Sequence, residues 1–256
     1  MNTEVALLDI LKYTNSDYLL SKQIDILEYS INNQSNDISG SAINEIKGLK
    51  YILHRHKKIL CTYIPNTNHQ SFSIIWTCSK IKKYKRKLQI NNNIIIHLKN
   101  CILNKDIKYA AVLLSIRYDT CKANEDIRSH ANVLIYNKMN NTIERFDPIG
   151  GFRSAYDNKK LDKKLSVFFG NYGIIYKSPD EFCPRLSFQK LQSKEKEFKF
   201  GLCAAWSLWF LDFKLSNDNI TDSKELINLA LTKLNEPNSK SLTTFILNYI
   251  RFILYN

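Results

Sequence analysis

The hydrophobic pattern of this chain changes period along its length. From residue 3 to about residue 58, apolar positions recur at helical spacing, in LLDILKY, YLLSKQIDILEYSI and AINEIKGLKYILHRHKKIL. Ser39-Gly-Ser41 supplies a break and a cap before the third segment, and Pro65-Asn-Thr-Asn-His69 a loop after it. A boundary near residue 60 separates a helical N-terminal region, 1–60, from a second region, 61–256. FSIIWTC (72–78) and Ile94-Ile-Ile-His-Leu98 fit either a strand or a short buried helix. Tyr109–Tyr118 is a continuous β-capable run, and Ala131–Tyr136 and Thr142–Phe146 read as two further strands. The polar link Asn137-Lys-Met-Asn-Asn141 suits a hairpin turn, which makes the last two strands antiparallel neighbours. Lys159–Phe169 has helical spacing, Gly173–Tyr176 reads as a short strand, and 203–215, 222–235 and 240–254 read as helices. The fold class is α+β, a small sheet flanked by helices, with a helical N-terminal extension.

Composition narrows the function classes without choosing one. A 44% hydrophobic content over 256 residues is enough for a buried core, so disorder is not the default. The formal charge of +13 favours acidic partners, and Lys80, Lys82, Lys83, Lys85, Arg86 and Lys87 concentrate it in KIKKYKRK, a candidate contact for DNA or another polyanion. The abundant Asn, Lys and Ile point to an AT-rich genome. The N-terminal MNTEVALLDILKYT lacks the basic and apolar regions of a signal peptide, and charges or amides interrupt every apolar run, so the expectation is a soluble intracellular chain with no membrane partner. Six cysteines, at 61, 78, 101, 121, 183 and 203, include no C-x-x-C pair, so no zinc site is expected and all six read as free thiols.

Cys203 opens the almost wholly apolar run FGLCAAWSLWFLD. By itself such a cysteine reads as a packed core residue. His130, however, opens one arm of the hairpin and Asp147 closes the other 17 residues later, so antiparallel pairing brings imidazole and carboxylate together. A carboxylate on one imidazole nitrogen fixes the tautomer and stabilises the imidazolium, which leaves the other nitrogen for a thiol. At a helix start, unpaired backbone N–H groups and the positive end of the macrodipole favour thiolate. His69 and His97 lack this spacing, and Glu144, three positions before Asp147, faces the opposite side of a regular strand. Asp147-Pro-Ile-Gly150-Gly151 also reads as a turn, and the two roles are compatible. Trp206 and Trp209, three apart on one helix, read as core.

The order His130, Asp147, then Cys203 a further 56 residues on resembles the cysteine peptidase clan of the SUMO-specific proteases and adenovirus protease. There a strand-initial His, a strand-terminal Asp, an oxyanion-hole Gln and a helix-initial Cys follow in that order. HANVLIYNKMNNTIERFDP is similar to the family's unit without a gap, and with GLCAAWS it resembles the versions in large DNA viruses. The resemblance covers residues 105–215 and implies a papain-like or adenain-like core with no cofactor, acting in the host cytoplasm or virion. It implies a nucleophile at Cys203, a proton shuttle at His130, an orienting carboxylate at Asp147 and an oxyanion donor at Gln189, with Gln192 the alternative. The implied activity is a cysteine peptidase or isopeptidase, cutting after Gly-Gly or Gly-x in ubiquitin-like modifiers or viral polyproteins. Two positions depart from the cellular proteases: Ala131 stands where a Trp often follows the His, and Ala204 where a Gly often follows the Cys. Two rival readings stay open, an acyltransferase of the same clan with the same triad and a catalytically inactive basic binding module.

Overall fold

The Tyr109–Tyr118 run becomes an interior strand whose two faces are both covered, which is why it carries apolar residues without alternation. The structure, a computed structural model, describes residues 42–63, 72–78, 86–90, 93–118, 128–150, 156–183, 187–192, 202–234 and 241–255. The strands are β1 (Leu60–Thr62), β2 (Phe72–Cys78), β3 (Arg86–Ile90), β4 (Tyr109–Tyr118), β5 (Arg128–Asn137), β6 (Thr142–Phe146) and β7 (Ile175–Lys177). They form one mixed sheet in the order β3-β2-β4-β5-β6-β7, with β1 also beside β4. β1 and β2 run parallel to β4 end to end, β1 against Tyr109–Ala111 and β2 against Leu114–Tyr118. β4, β5 and β6 are successive antiparallel neighbours, and β7 is parallel to β6.

The helices are α1 (Ala42–Arg55), α2 (Asn93–Leu103), α3 (Asn158–Gly170), α4 (Pro179–Phe182), α5 (Phe188–Gln192), α6 (Cys203–Ser216), α7 (Ser223–Leu234) and α8 (Leu242–Tyr255). Ala111, Leu113, Val133, Ile135 and Phe146 share one core with α6, α1, α7 and α8. Ala110, Val112, Leu114, Leu134 and Ile143 share a second core with α2 and α3. The expected α+β class is therefore found, as three layers with the sheet in the middle.

Helix α6 is buried on all sides from Ala204 to Leu215, as expected of a helix apolar around its whole circumference. Phe146 stacks on Phe210 with ring centroids 4.0 Å apart, and Trp206 and Trp209 meet edge to face at 5.5 Å, so both tryptophans are core. Two buried charges on α6 have partners. Asp212 accepts from His56 (2.7 Å), Arg55 (3.3 Å) and the Tyr249 hydroxyl (3.3 Å), which ties α1 and α8 to α6. Lys214 donates to Glu144 on β6 (2.7 Å), where the Ser223 hydroxyl also donates (2.6 Å). Glu144 and its neighbour Arg145 point to opposite faces, Glu144 toward α6 and Arg145 toward Asp162 on α3.

Several elements resolve or correct the sequence reading. The two ambiguous runs become strand β2 and helix α2. The sheet is larger than its three evident strands, because β1 is too short and β3 (RKLQI) too basic to show a strand pattern. The expectation of six free thiols is corrected: Cys61 on β1 and Cys101 on α2 form a disulfide. They are 40 residues apart, but the fold sets β1 beside β4 and brings their Cα atoms to 5.6 Å. Leu49 and Ile52 of α1 lie in the same core as residues beyond 60. The first 41 residues, the Pro65–His69 loop, Lys80–Lys85, Cys121 and Gly201 lie outside the described residues. Among the described residues no helix is long and apolar enough to cross a membrane.

Removing Lys214 leaves the buried Glu144 carboxylate with only the Ser223 hydroxyl and the more exposed Lys177 ammonium, 3.6 Å away. Lys214→Met should therefore lower stability by about 3 kcal/mol, read as a lower midpoint in urea unfolding. A midpoint equal to wild type would show that the Glu144–Lys214 pair contributes nothing net.

Candidate active site

The hairpin sets Val133 opposite Phe146, so His130 sits toward the start of one strand and Asp147 one residue past the end of the other. The imidazole Nε2 hydrogen-bonds Asp147 Oδ1 at 2.7 Å. Asp147 then leaves the sheet in a turn: the Gly150 N–H donates to its carbonyl at 2.9 Å, and Gly150 has φ +86°, which glycine adopts without penalty. The Ile149 N–H donates to Asp147 Oδ1 at 3.0 Å, so the turn also orients the carboxylate.

Asp147 is fully buried. Its second oxygen, Oδ2, accepts from the Tyr156 hydroxyl at 2.7 Å and from Arg145 Nη1 at 3.2 Å. Arg145, also fully buried, is itself fixed by a bidentate pair with Asp162 (2.8 and 3.0 Å) and by donation to Asn132 Oδ1. The Asn132 amide donates to the Ala131 carbonyl at 2.9 Å, and the Ser207 hydroxyl reaches the same carbonyl at 3.3 Å. The other side of this strand residue, the Ala131 N–H, donates to Cys203 Sγ at 3.3 Å. Cys203 is the first residue of α6, with no side chain capping that terminus, so its thiol lies at the unpaired N–H end of a 14-residue helix.

These contacts set the charge states. Burial alone would lower the His130 pKa, but the Asp147 carboxylate and the Cys203 sulfur raise it to about 10. Burial alone would raise Asp147, but His130, Arg145 and the Tyr156 hydroxyl hold it at about 2. Burial opposes ionisation of Cys203, yet the hydrogen bond and charge of His130, with the Ala131 N–H, bring the thiol below its ordinary value. The result is an imidazolium at neutral pH beside a thiol that ionises more readily than an ordinary cysteine. Cys183 is the contrast: burial dominates there and pushes its thiol far up.

The structure thus brings His130, Asp147 and Cys203 together. His97 lies on α2, within reach of Cys101 instead, and Glu144 faces Lys214. The two glutamines separate. Gln192 is buried and accepts from Trp206 Nε1 at 3.0 Å, a structural engagement. Gln189 is half-buried, its N–H donates to the Pro148 carbonyl beside Asp147 at 3.1 Å, and its Oε1 has no hydrogen-bond partner among the described residues. Arg145, Asn132, Tyr156 and Ser207 escape sequence reasoning. Only Asn132 and Arg145 leave a trace, as polar letters inside the HAN and ERFD stretches that carry the family resemblance.

No protein-family model matches the chain. It is 27% identical, over 84% of its length, to protein L371 of Acanthamoeba polyphaga mimivirus, which bears an ankyrin-repeat name. It is 38% identical over 61 residues, or 24% of the chain, to protein 082L of Invertebrate iridescent virus 6. The matched regions span 31% and 33% of those relatives, about a third of their length. Among solved structures, the Chlamydia trachomatis effector protein Cdu1, bound to ubiquitin, is similar with a TM-score of 0.48 at 14% identity, over 85% of this chain and 91% of that one. The Legionella pneumophila effector protein RavZ is similar with a TM-score of 0.42 at 8% identity, over 84% of this chain and 62% of that one.

The pKa directions carry signs for stability. Asp147, held at about 2, favours the folded state above its ordinary ~4, and that contribution is lost as pH falls toward 2. His130, raised to about 10, contributes fully below its ordinary ~6.5, and that contribution is lost as pH rises through 10. Alkylation of Cys203 by iodoacetamide should accordingly stay fast well below the ordinary thiol range of ~8.5. In Asp147→Asn the inflection of that profile should move up by about one unit or more. Superimposable profiles would contradict the electrostatic role of Asp147.

Proposed function

We propose that this chain is a cysteine peptidase or isopeptidase. The observation that carries the reading is the seating of Cys203 Sγ on the Ala131 N–H, at a helix start, beside an imidazole held by a buried carboxylate. Cys203 thiolate attacks the scissile carbonyl carbon, and the oxyanion is met by backbone N–H groups at the start of α6 and by the Gln189 amide. His130 gives its proton to the departing amine as the C–N bond breaks, which leaves a thioester. Water then attacks the thioester, His130 takes its proton, and the carboxylate product leaves with the thiolate–imidazolium pair restored.

The substrate class follows from the family resemblance: a Gly-Gly or Gly-x terminus, of a ubiquitin-like modifier or a viral polyprotein. Alanine at 131 and 204 keeps the side chains flanking the thiol small, which suits a narrow substrate backbone.

A panel of ubiquitin-like proteins bearing C-terminal electrophiles, with Gly-Gly-x peptides, tests the reading. The expected result is one covalent adduct on Cys203 and hydrolysis of at least one peptide, both absent in Cys203→Ala. Peptide kcat/KM should fall at least about a thousandfold in His130→Ala. Transfer of an acetyl group from acetyl-CoA without hydrolysis would replace this reading with an acyltransferase. No adduct and no hydrolysis at any pH would overturn it in favour of a binding module.

A further inference from the structure

We propose that Cys61, His97 and Cys101 form a second, redox-gated site, which holds a thiophilic divalent cation of the zinc type when its cysteines are reduced. The Sγ atoms of the two cysteines and the His97 ring nitrogens lie within 4.8 Å of one another. His97 and Cys101 stand four apart on α2, hence on one helix face, and Cys61 approaches from β1. His97 Nε2 is 3.4 Å from Cys101 Sγ, close to the ~3.5 Å that a nitrogen and a sulfur adopt on one tetrahedral zinc with bonds of about 2.1 and 2.3 Å.

The surroundings also fit. The His97 ring is hydrogen-bonded to the backbone of Ala111, the kind of outer contact that fixes a metal-binding imidazole. Cys101 is buried, and Cys61 and His97 are half-buried. The ring of Tyr63 packs edge-on against His97 at 5.6 Å.

The disulfide seen here is the oxidised state of the site. A phosphine supplies two electrons and is oxidised to its phosphine oxide, water supplies the oxygen and two protons, and the S–S bond becomes two thiols. The cation then displaces both thiol protons to solvent and binds two thiolates and the neutral imidazole. A two-electron oxidant such as a peroxide takes the electrons from the two thiolates and is reduced to water, the S–S bond reforms, and the cation leaves. In both states α2 is stapled to β1, so the exchange changes the chemistry of the staple more than the fold. Cys61 is level with Ala110 on β4, whereas His130 is level with Ile116, so the site sits toward the opposite end of the sheet from Cys203. The proposal is therefore independent of the peptidase reading.

The test uses the full chain carrying Cys203→Ala, so that the nucleophile cannot bind metal. The protein is reduced with a phosphine, its free thiols are counted, and its folding is checked by circular dichroism before titration with cobalt(II). The expected result is one equivalent per chain, with the sulfur-to-cobalt charge-transfer and visible bands of a tetrahedral site, displaced by zinc and absent from the oxidised protein. Cys61→Ser and Cys101→Ser should each abolish the charge-transfer band or weaken binding a hundredfold or more, and His97→Gln should weaken it tenfold or more. A folded, fully reduced chain that gives no saturable cobalt spectrum overturns the proposal. So does a spectrum unchanged in the cysteine variants; if those do not fold, unchanged affinity in folded His97→Gln overturns it equally.

Discussion

The structure around the candidate site depends on a carboxylate, Asp147, that has no contact with solvent. A buried charge costs several kcal/mol unless nearby donors compensate it, and Asp147 receives four donors from four different residues. His130 and the Ile149 N–H hold one oxygen, Tyr156 and Arg145 the other. Arg145 is itself a buried charge, so it requires Asp162 on α3, and through Asn132 it reaches the strand that carries Ala131. One chain of obligatory pairings thus runs from α3, across β6 and β5, to the thiol on α6. Positioning of the nucleophile and integrity of the second core are consequences of the same need to neutralise these charges.

Much of this was legible in the sequence because it rests on local periodicity and on one topological inference. A hairpin whose arms begin with His130 and end before Asp147 must bring the two together, and a helix apolar all round must lie in the core with its first residue at an end. The sequence also separated Glu144 from Asp147 by strand parity, and the structure sends Glu144 to Lys214 on the other face. What was not legible depends on contacts between distant elements. Tyr156 stands just before α3 and reaches Asp147 through tertiary packing alone, and Ser207 reaches Ala131 only because α6 crosses β5. Gln192 could be set apart from Gln189 only once Trp206 was seen to hold it. The Cys61–Cys101 pair was missed because β1 is three residues long and carries no pattern from which its place beside β4 could be read.

The cysteines show how environment decides the fate of one side chain. Cys183 lies in the first core and Cys203 opens the helix that fills it, yet burial without a cation pushes the first thiol up, while an imidazolium and a backbone N–H bring the second down. Cys61 and Cys101, far from both, meet each other and an imidazole. Three chemistries, an inert thiol, a readily ionised thiol and a cross-link, arise from the position of each cysteine relative to charge and to a second sulfur.

The central claim is that His130 is an imidazolium at neutral pH because the buried Asp147 favours the charged ring, which in turn lowers the pKa of the Cys203 thiol. The most direct measurement is the ring nitrogen-15 chemical shifts of His130 in the free protein. The account predicts imidazolium shifts that stay unchanged from acid pH through neutrality and begin to titrate only toward about 10. A neutral ring at pH 7, titrating near its ordinary ~6.5, would contradict it.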